Sequence, residues 1–73
     1  MSKVYEIIWR YTNSKGNKKT LKVCEYLTTS FSWIYRDEVV STNKEKLQKT
    51  LNYLNVVKYD NEEFFIKEKE CLL

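Results

Sequence analysis

The stretch KVYEIIWRYTNSKGNKKTLKVCEYL, residues 3–27, decides the fold, because two runs of alternating apolar and polar residues flank a polar turn. One face of the first run, residues 3–12, carries Tyr5, Ile7, Trp9 and Tyr11. The turn, NSKGN at residues 13–17, contains Gly16, the sole glycine of the chain, and we expect Gly16 or an adjacent asparagine to supply a positive φ. The second run, residues 19–27, places Leu21, Val23 and Leu27 on one face. The pattern predicts an antiparallel β-hairpin.

The position of Gly16 also predicts how the two strands of the hairpin are aligned. With this glycine near the centre of the connection, odd-numbered residues face odd-numbered residues across the hairpin. The predicted neighbours are Tyr11 with Leu21, Trp9 with Val23, and Tyr5 with Leu27. We expect the aromatic residues of this face to belong to the core. The alternative is an exposed aromatic face that stacks nucleic-acid bases.

The segment after the hairpin, residues 31–40, allows two interpretations. Its first part, FSWIYR at residues 31–36, is rich in β-forming residues and favours a third strand. The alternative is a short helix with Phe31, Ile34, Tyr35 and Glu38 along one side. Residues 42–45, TNKE, have the form of a capping box and predict a helix from residue 43 to about 55. The buried stripe of this helix would consist of Leu47, Thr50, Leu51 and Leu54.

The remaining residues are expected to form a C-terminal β-hairpin. Residues 56–59 read as a strand, residues 60–62 as a tight turn, and residues 63–70 as a last strand. The order ββ(β)αββ predicts one α+β domain over residues 1–73. Its small antiparallel sheet would have one helix packed across one face.

Composition argues against an enzyme and against a cofactor or metal site. The chain has no histidine, two cysteines and one glycine, so it lacks the residues for a histidine-based catalytic site, a four-ligand Cys/His zinc site or a glycine-rich phosphate loop. Both thiols are expected to be free, Cys24 near the core and Cys71 exposed. No run is apolar enough for a membrane helix or a signal peptide. We therefore expect a soluble, cytoplasmic protein with no membrane partner.

Charge is distributed unevenly between the two parts of the chain. Residues 1–24 hold six basic groups and one acid, whereas residues 25–73 hold seven basic groups and nine acids. A basic hairpin can bind phosphates, and lysines along a strand can equally keep a sheet edge soluble. The candidate nucleic-acid-binding residues are Arg10, Lys15, Lys18, Lys19 and Lys22.

Two further segments predict a protein-binding surface. Residues 32–38 bring together Trp33, Tyr35 and Arg36, the residue types that dominate binding hot spots. The predicted C-terminal hairpin carries Asp60, Glu62 and Glu63, which could imitate the phosphates of a nucleic acid. The alternatives are that the aromatic residues cover an open end of the core and that the acids form a solvated surface.

These features favour a small non-catalytic binding protein that occupies the surface of a larger host protein or protein–nucleic-acid complex. Residues with A/T-rich codons (Lys, Asn, Ile, Tyr, Phe) total thirty, and those with G/C-rich codons (Gly, Ala, Arg, Pro) total three, which suggests a phage or mobile element. An anti-defence inhibitor, for example of a CRISPR effector, fits that setting. One alternative is a nucleic-acid-binding module that uses the basic hairpin, and another is a structural subunit of a homo-oligomer.

Overall fold

The sheet is built around one long central strand, β1 (Ser2–Thr12). In the computed structural model, which describes residues 2–71 and the side chains of residues 3–70, β1 pairs antiparallel with β4 (Glu62–Cys71) along almost its whole length. The other edge of β1 is shared: β2 (Lys18–Lys22) pairs with residues 8–12, and the two-residue strand β3 (Val40–Ser41) pairs with residues 5 and 6. Helix α1 (Lys44–Val57) packs across one face.

The predicted α+β class, with one antiparallel sheet and one helix across it, is confirmed. The core of the described residues lies between α1 and the apolar face of β1, and it extends into the loops. Its buried members are Ile7, Val23, Phe31, Ile34, Val39, Leu47, Leu54 and Phe64. No helix within residues 2–71 has the length and apolar character needed to span a membrane.

The first hairpin forms as predicted, but its alignment is shifted by two residues. Trp9 lies opposite Leu21 and Tyr11 opposite Lys19. None of the three predicted pairs forms: Tyr11 with Leu21, Trp9 with Val23, or Tyr5 with Leu27. The reason is the turn: the Asn13 side-chain oxygen accepts hydrogen bonds from the backbone N–H groups of Lys15 and Asn17, both at 3.0 Å. The turn is therefore centred on residue 15. Gly16 adopts the expected positive φ, +83°.

The second strand is also shorter than predicted, because the chain leaves the sheet after Lys22. Residues Val23–Tyr26 form a 3₁₀ helix that carries the Val23 side chain into the core, where it is fully buried. Half-buried Cys24 lies beside that core as expected and is a free thiol. The side chain of Cys71 lies outside the described residues.

The predicted strand at residues 31–36 is wrong. Successive turns occupy residues 27–34, a 3₁₀ helix covers Arg36–Glu38, and the third strand is formed by Val40–Ser41 instead. Both Phe31 and Ile34 are buried, and the N–H of Ile34 donates to the carbonyl of Phe31 at 3.0 Å. Two buried side chains three residues apart fit a tight turn, whereas a strand would have placed them on opposite faces.

The helix begins at Lys44, one residue later than predicted, because Asn43 and not Thr42 of the predicted capping box is its N-cap. It also ends later than predicted, at Val57. Its N-cap is Asn43, whose side chain accepts a hydrogen bond from the N–H of Glu45 at 3.1 Å, and the predicted stripe faces the core. Residues 56 and 57 belong to the helix, so the predicted strand at 56–59 and the C-terminal hairpin are wrong. The predicted turn at 60–62 does form, with the N–H of Glu62 donating to the carbonyl of Tyr59 at 3.0 Å.

Truncation of Leu47 to alanine should destabilise the protein strongly. This side chain is fully buried between α1 and the sheet, and removing it leaves a cavity, which costs about 2–5 kcal/mol. Urea unfolding followed by circular dichroism measures the change in free energy. The control is Asn55→Ala, an exposed position of the same helix, for which we expect a change within about 0.5 kcal/mol. Equal stability of the two variants would contradict the assigned core.

Candidate protein-binding cleft

A cleft of about 450 Å³ opens between the C-terminal half of α1 and the turns after the first hairpin. Its buried lining consists of Phe31 from the turns, Leu54 from α1 and Phe64 from β4, and half-buried Trp9 from β1 completes it. Four large side chains along its rim remain half or more exposed: Trp33 (57%), Tyr53 (52%), Val57 (50%) and Tyr59 (76%). Exposed apolar side chains that are grouped around one cleft are a feature of interaction sites in soluble proteins.

The aromatic rings of the lining hold one another in fixed orientations. Phe31 is central: it meets Trp9 edge to face at 5.2 Å and Phe64 edge to face at 6.0 Å between ring centroids. Trp33 lies 5.8 Å from the same ring. Edge-to-face pairs are favourable beyond their area of contact. The lining is therefore formed before any partner binds.

Glu62 fixes the open end of the cleft. One of its carboxylate oxygens accepts a hydrogen bond from the Trp9 indole N–H at 2.7 Å. The other accepts from the backbone N–H of Tyr59 at 2.9 Å. Both oxygens of this carboxylate are thus already engaged within the chain, so the cleft offers a partner mainly apolar contact.

A second groove, of about 380 Å³, lies next to the cleft and shares Trp33 and Tyr53 with it. The rest of its lining is more polar and comprises Ile34, Glu38, Lys46, Lys49 and Thr50. Lys46 forms an ion pair with Asp37. Trp33 and Tyr53 therefore stand between an aromatic cleft and a charged groove, the pattern of an apolar centre with a polar rim.

The residues predicted to bind protein are distributed over different places. Trp33 and Glu62 line the cleft. Tyr35, 77% exposed, and Arg36 lie on the surface and line neither the cleft nor the second groove. Asp60 and Glu63 line a third, shallow depression together with Arg10.

Basic residues of the predicted nucleic-acid-binding set and acidic residues of the predicted protein-binding set lie together in that depression. The Arg10 guanidinium lies 3.3 Å from the Glu63 carboxylate and 4.9 Å from the centroid of the Phe65 ring. Arg10 and Glu63 were assigned to different sites from the sequence, yet across β1 and β4 they neutralise each other. The other four candidate nucleic-acid-binding residues are exposed and form no ion pair with the described residues: Lys15, Lys18, Lys19 and Lys22.

Sequence reasoning missed three residues of the rim: Tyr53, Val57 and Tyr59. The helical spacing of Tyr53 and Val57, one turn apart and beside the stripe that contains Leu54, is the signal that could have identified them. Because the sequence predicts a strand at residues 56–59, it does not predict that Tyr53 and Val57 share one face of a helix. Within the described part of the chain, no group of three or more His, Cys, Asp or Glu residues could hold a metal ion.

Comparison with protein-family models, with curated proteins and with solved structures gives no match to this chain. The case for a function therefore depends on the geometry of the cleft and of the sheet.

Replacing Glu62 by alanine should loosen the end of the cleft. The change removes two hydrogen bonds to a half-buried carboxylate, and we expect a loss of about 1–3 kcal/mol in unfolding free energy. In a Trp33→Phe background, the fluorescence of Trp9 should also shift to longer wavelength. Glu62→Gln is the control, since its amide oxygen can still accept from the indole N–H. An unchanged Trp9 spectrum in Glu62→Ala would show that this contact does not hold the cleft.

Proposed function

We propose that the chain is a small binding protein that occupies the surface of a larger protein, with the aromatic cleft as the centre of the contact. The observation that carries the proposal is the set of four half-exposed apolar side chains around a rigid aromatic lining. Trp and Tyr are enriched among the residues that contribute most to binding free energy. Leaving them exposed forgoes the hydrophobic stabilisation that burial in a complex would supply.

The chemistry of the cleft favours an apolar side chain of the partner. Both oxygens of Glu62 are engaged, and the buried lining is apolar, with Leu54 beside the rings of Phe31 and Phe64. The exposed rim would leave one side of an occupant in contact with solvent or with the rest of the partner. That geometry suits a side chain projecting from a protein surface better than an enclosed small molecule. The charged groove beside the cleft would then contact the polar rim of the interface.

The setting that we propose is a phage or mobile element, with a host protein or protein–nucleic-acid complex as the partner. A defence effector such as a CRISPR nuclease belongs to this class. Occupying the surface of such a partner can block it without any chemistry by the chain itself. The support for this setting is the codon-related composition of the sequence, and the cleft supplies the contact.

The variant Trp33→Ala tests the cleft against a matched control. The partner is first captured from host lysate with tagged protein after nuclease treatment, and its affinity for purified variants is then measured by calorimetry. We expect Trp33→Ala to weaken binding about 30-fold or more, the effect of losing a hot spot of about 2 kcal/mol. Tyr35→Ala removes a more exposed aromatic side chain that lies outside both grooves, and it should change the affinity less than about twofold. Equal effects of the two substitutions would overturn the proposal.

A nucleic-acid-binding function is the second candidate, supported by the four exposed lysines of the first hairpin, which form no ion pair with the described residues. If each lysine neutralises one phosphate of duplex DNA, the log–log slope of affinity against salt should have a magnitude of about 3 to 4. Arg10 is not counted because Glu63 already neutralises it. Fluorescence anisotropy with labelled duplex DNA measures the slope, and an affinity independent of salt would remove this candidate.

A further inference from the structure

The outer edge of β4 carries backbone hydrogen-bonding groups that pair with no other strand of residues 2–71. The N–H of Thr12 donates to the carbonyl of Asn61 at 3.0 Å, so the backbone groups of these two residues point toward each other. In an antiparallel ladder, every second residue of a strand makes backbone hydrogen bonds to the same partner strand. The backbone groups of odd-numbered residues of β4 therefore hydrogen-bond to β1, and those of even-numbered residues point away from β1. The latter, beyond Glu62, are Phe64, Ile66, Glu68 and Glu70.

The pairing on the other edge of β1 supports this assignment. The N–H of Ile7 donates to the carbonyl of Val39 at 3.0 Å. The backbone groups of this odd-numbered residue of β1 thus point away from β4, as the alternation requires. Within residues 2–71, β4 pairs only with β1. A strand of ten residues with one open edge is a ready template for pairing with another strand.

We propose that the outer edge of β4 pairs antiparallel with the same edge of a second copy of this chain, giving a two-fold symmetric dimer with a continuous sheet. Only even-numbered residues offer free backbone groups, so even-numbered residues must face even-numbered residues across the new ladder. A symmetric interface also requires each contact to occur twice. These two conditions leave few registers.

The side chains of β4 select one register among them. With Phe64 opposite the second copy's Ile66, Phe65 faces its own counterpart and Glu63 faces Lys67 in both halves. Arg10 contacts one oxygen of the Glu63 carboxylate, and the other oxygen is available to Lys67. A shift that places Ile66 opposite Ile66 puts Phe65 against Lys67. A further shift puts Lys67 opposite Lys67. Cross-strand aromatic pairs and opposite charges stabilise a sheet, whereas like charges directly opposite each other destabilise it. The complementarity of the strand with itself is the reason that a second copy is the proposed occupant.

The favoured register contains one like-charge pair, Glu62 opposite Glu68, and contacts within each chain moderate it. Glu68 lies 3.1 Å from the Lys3 ammonium, and this hydrogen bond raises the pKa of Lys3 above its ordinary value of 10.5. Glu62 accepts hydrogen bonds from Trp9 and from the backbone of Tyr59. Each carboxylate thus already has a partner that stabilises its charge.

A disulfide trap tests the dimer and its register together. In a Cys24→Ser, Cys71→Ser background, Phe65→Cys places two thiols at the two-fold axis, where paired Cα atoms lie about 4.5 Å apart, within the range that a disulfide spans. We expect a covalent dimer on mild oxidation. Lys67→Cys is the matched control, because its two copies would lie about 13 Å apart and should not cross-link. A mixture of Glu63→Cys and Lys67→Cys should cross-link only between the two variants. Cross-linking of Lys67→Cys as efficient as that of Phe65→Cys would overturn the register.

Sedimentation tests association without replacing Phe65. The mass of the wild-type chain should rise from 8.9 kDa toward twice that value with concentration.

Glu68→Pro removes an outward N–H without removing a hydrogen bond to β1, so it should weaken association. Glu68→Ala keeps that N–H and should retain association. Circular dichroism verifies that both variants fold. A monomer at all concentrations, without a Phe65→Cys cross-link, would overturn the dimer. Trp33→Ala should leave the mass unchanged, so failure of the dimer and failure of the cleft are distinguishable.

Discussion

The structure depends on hydrogen bonding along both edges of β1. One edge is satisfied by β4 over nearly its whole length, and the other by β2 and β3 in turn. The middle residues of β1 are buried on both faces, with Ile7 in the main core and Glu6 and Ile8 on the opposite side. A central strand of this kind gives a chain of 73 residues enough buried surface to support a core despite its small size. The cleft is built on the same strand, because Trp9 belongs to β1.

The parts of the fold that could be predicted are those in which the local pattern and the tertiary environment agree. Alternation along residues 3–12 and the leucine stripe of α1 each report a face that packs on the core. The pattern misled at residues 31–36, where β-forming residues are held in turns by the burial of Phe31 and Ile34. It misled again at residues 56–59, because β-branched residues there continue a helix that has no breaker before Lys58. At residues 31–36 tertiary contacts therefore outweigh intrinsic preference. Val56 and Val57 are instead half or more exposed, and they follow the helix that precedes them.

The same reasoning explains how much of the cleft could be found. Trp33 is a candidate binding residue by its type and by its neighbours in the sequence, whereas Tyr53 lies on a helix whose buried stripe is beside it. Its position beside Trp33 arises from the turns before α1, which no local pattern specifies. The uneven distribution of charge along the sequence is less informative, because it does not show which opposite charges pair in the fold. The basic and acidic halves of the sequence meet across β1 and β4, where Arg10 and Glu63 cancel.

The cleft and the open edge of β4 use different parts of the same residues. The side chain of Phe64 is buried in the lining of the cleft, while its backbone groups point outward along the sheet edge. Glu62 likewise holds Trp9 with its side chain and begins the strand with its backbone. Side-chain substitutions at the rim therefore act on the cleft, and loss of an outward N–H acts on the edge. A single short strand can serve two surfaces because backbone and side chains of a β-strand project in perpendicular directions.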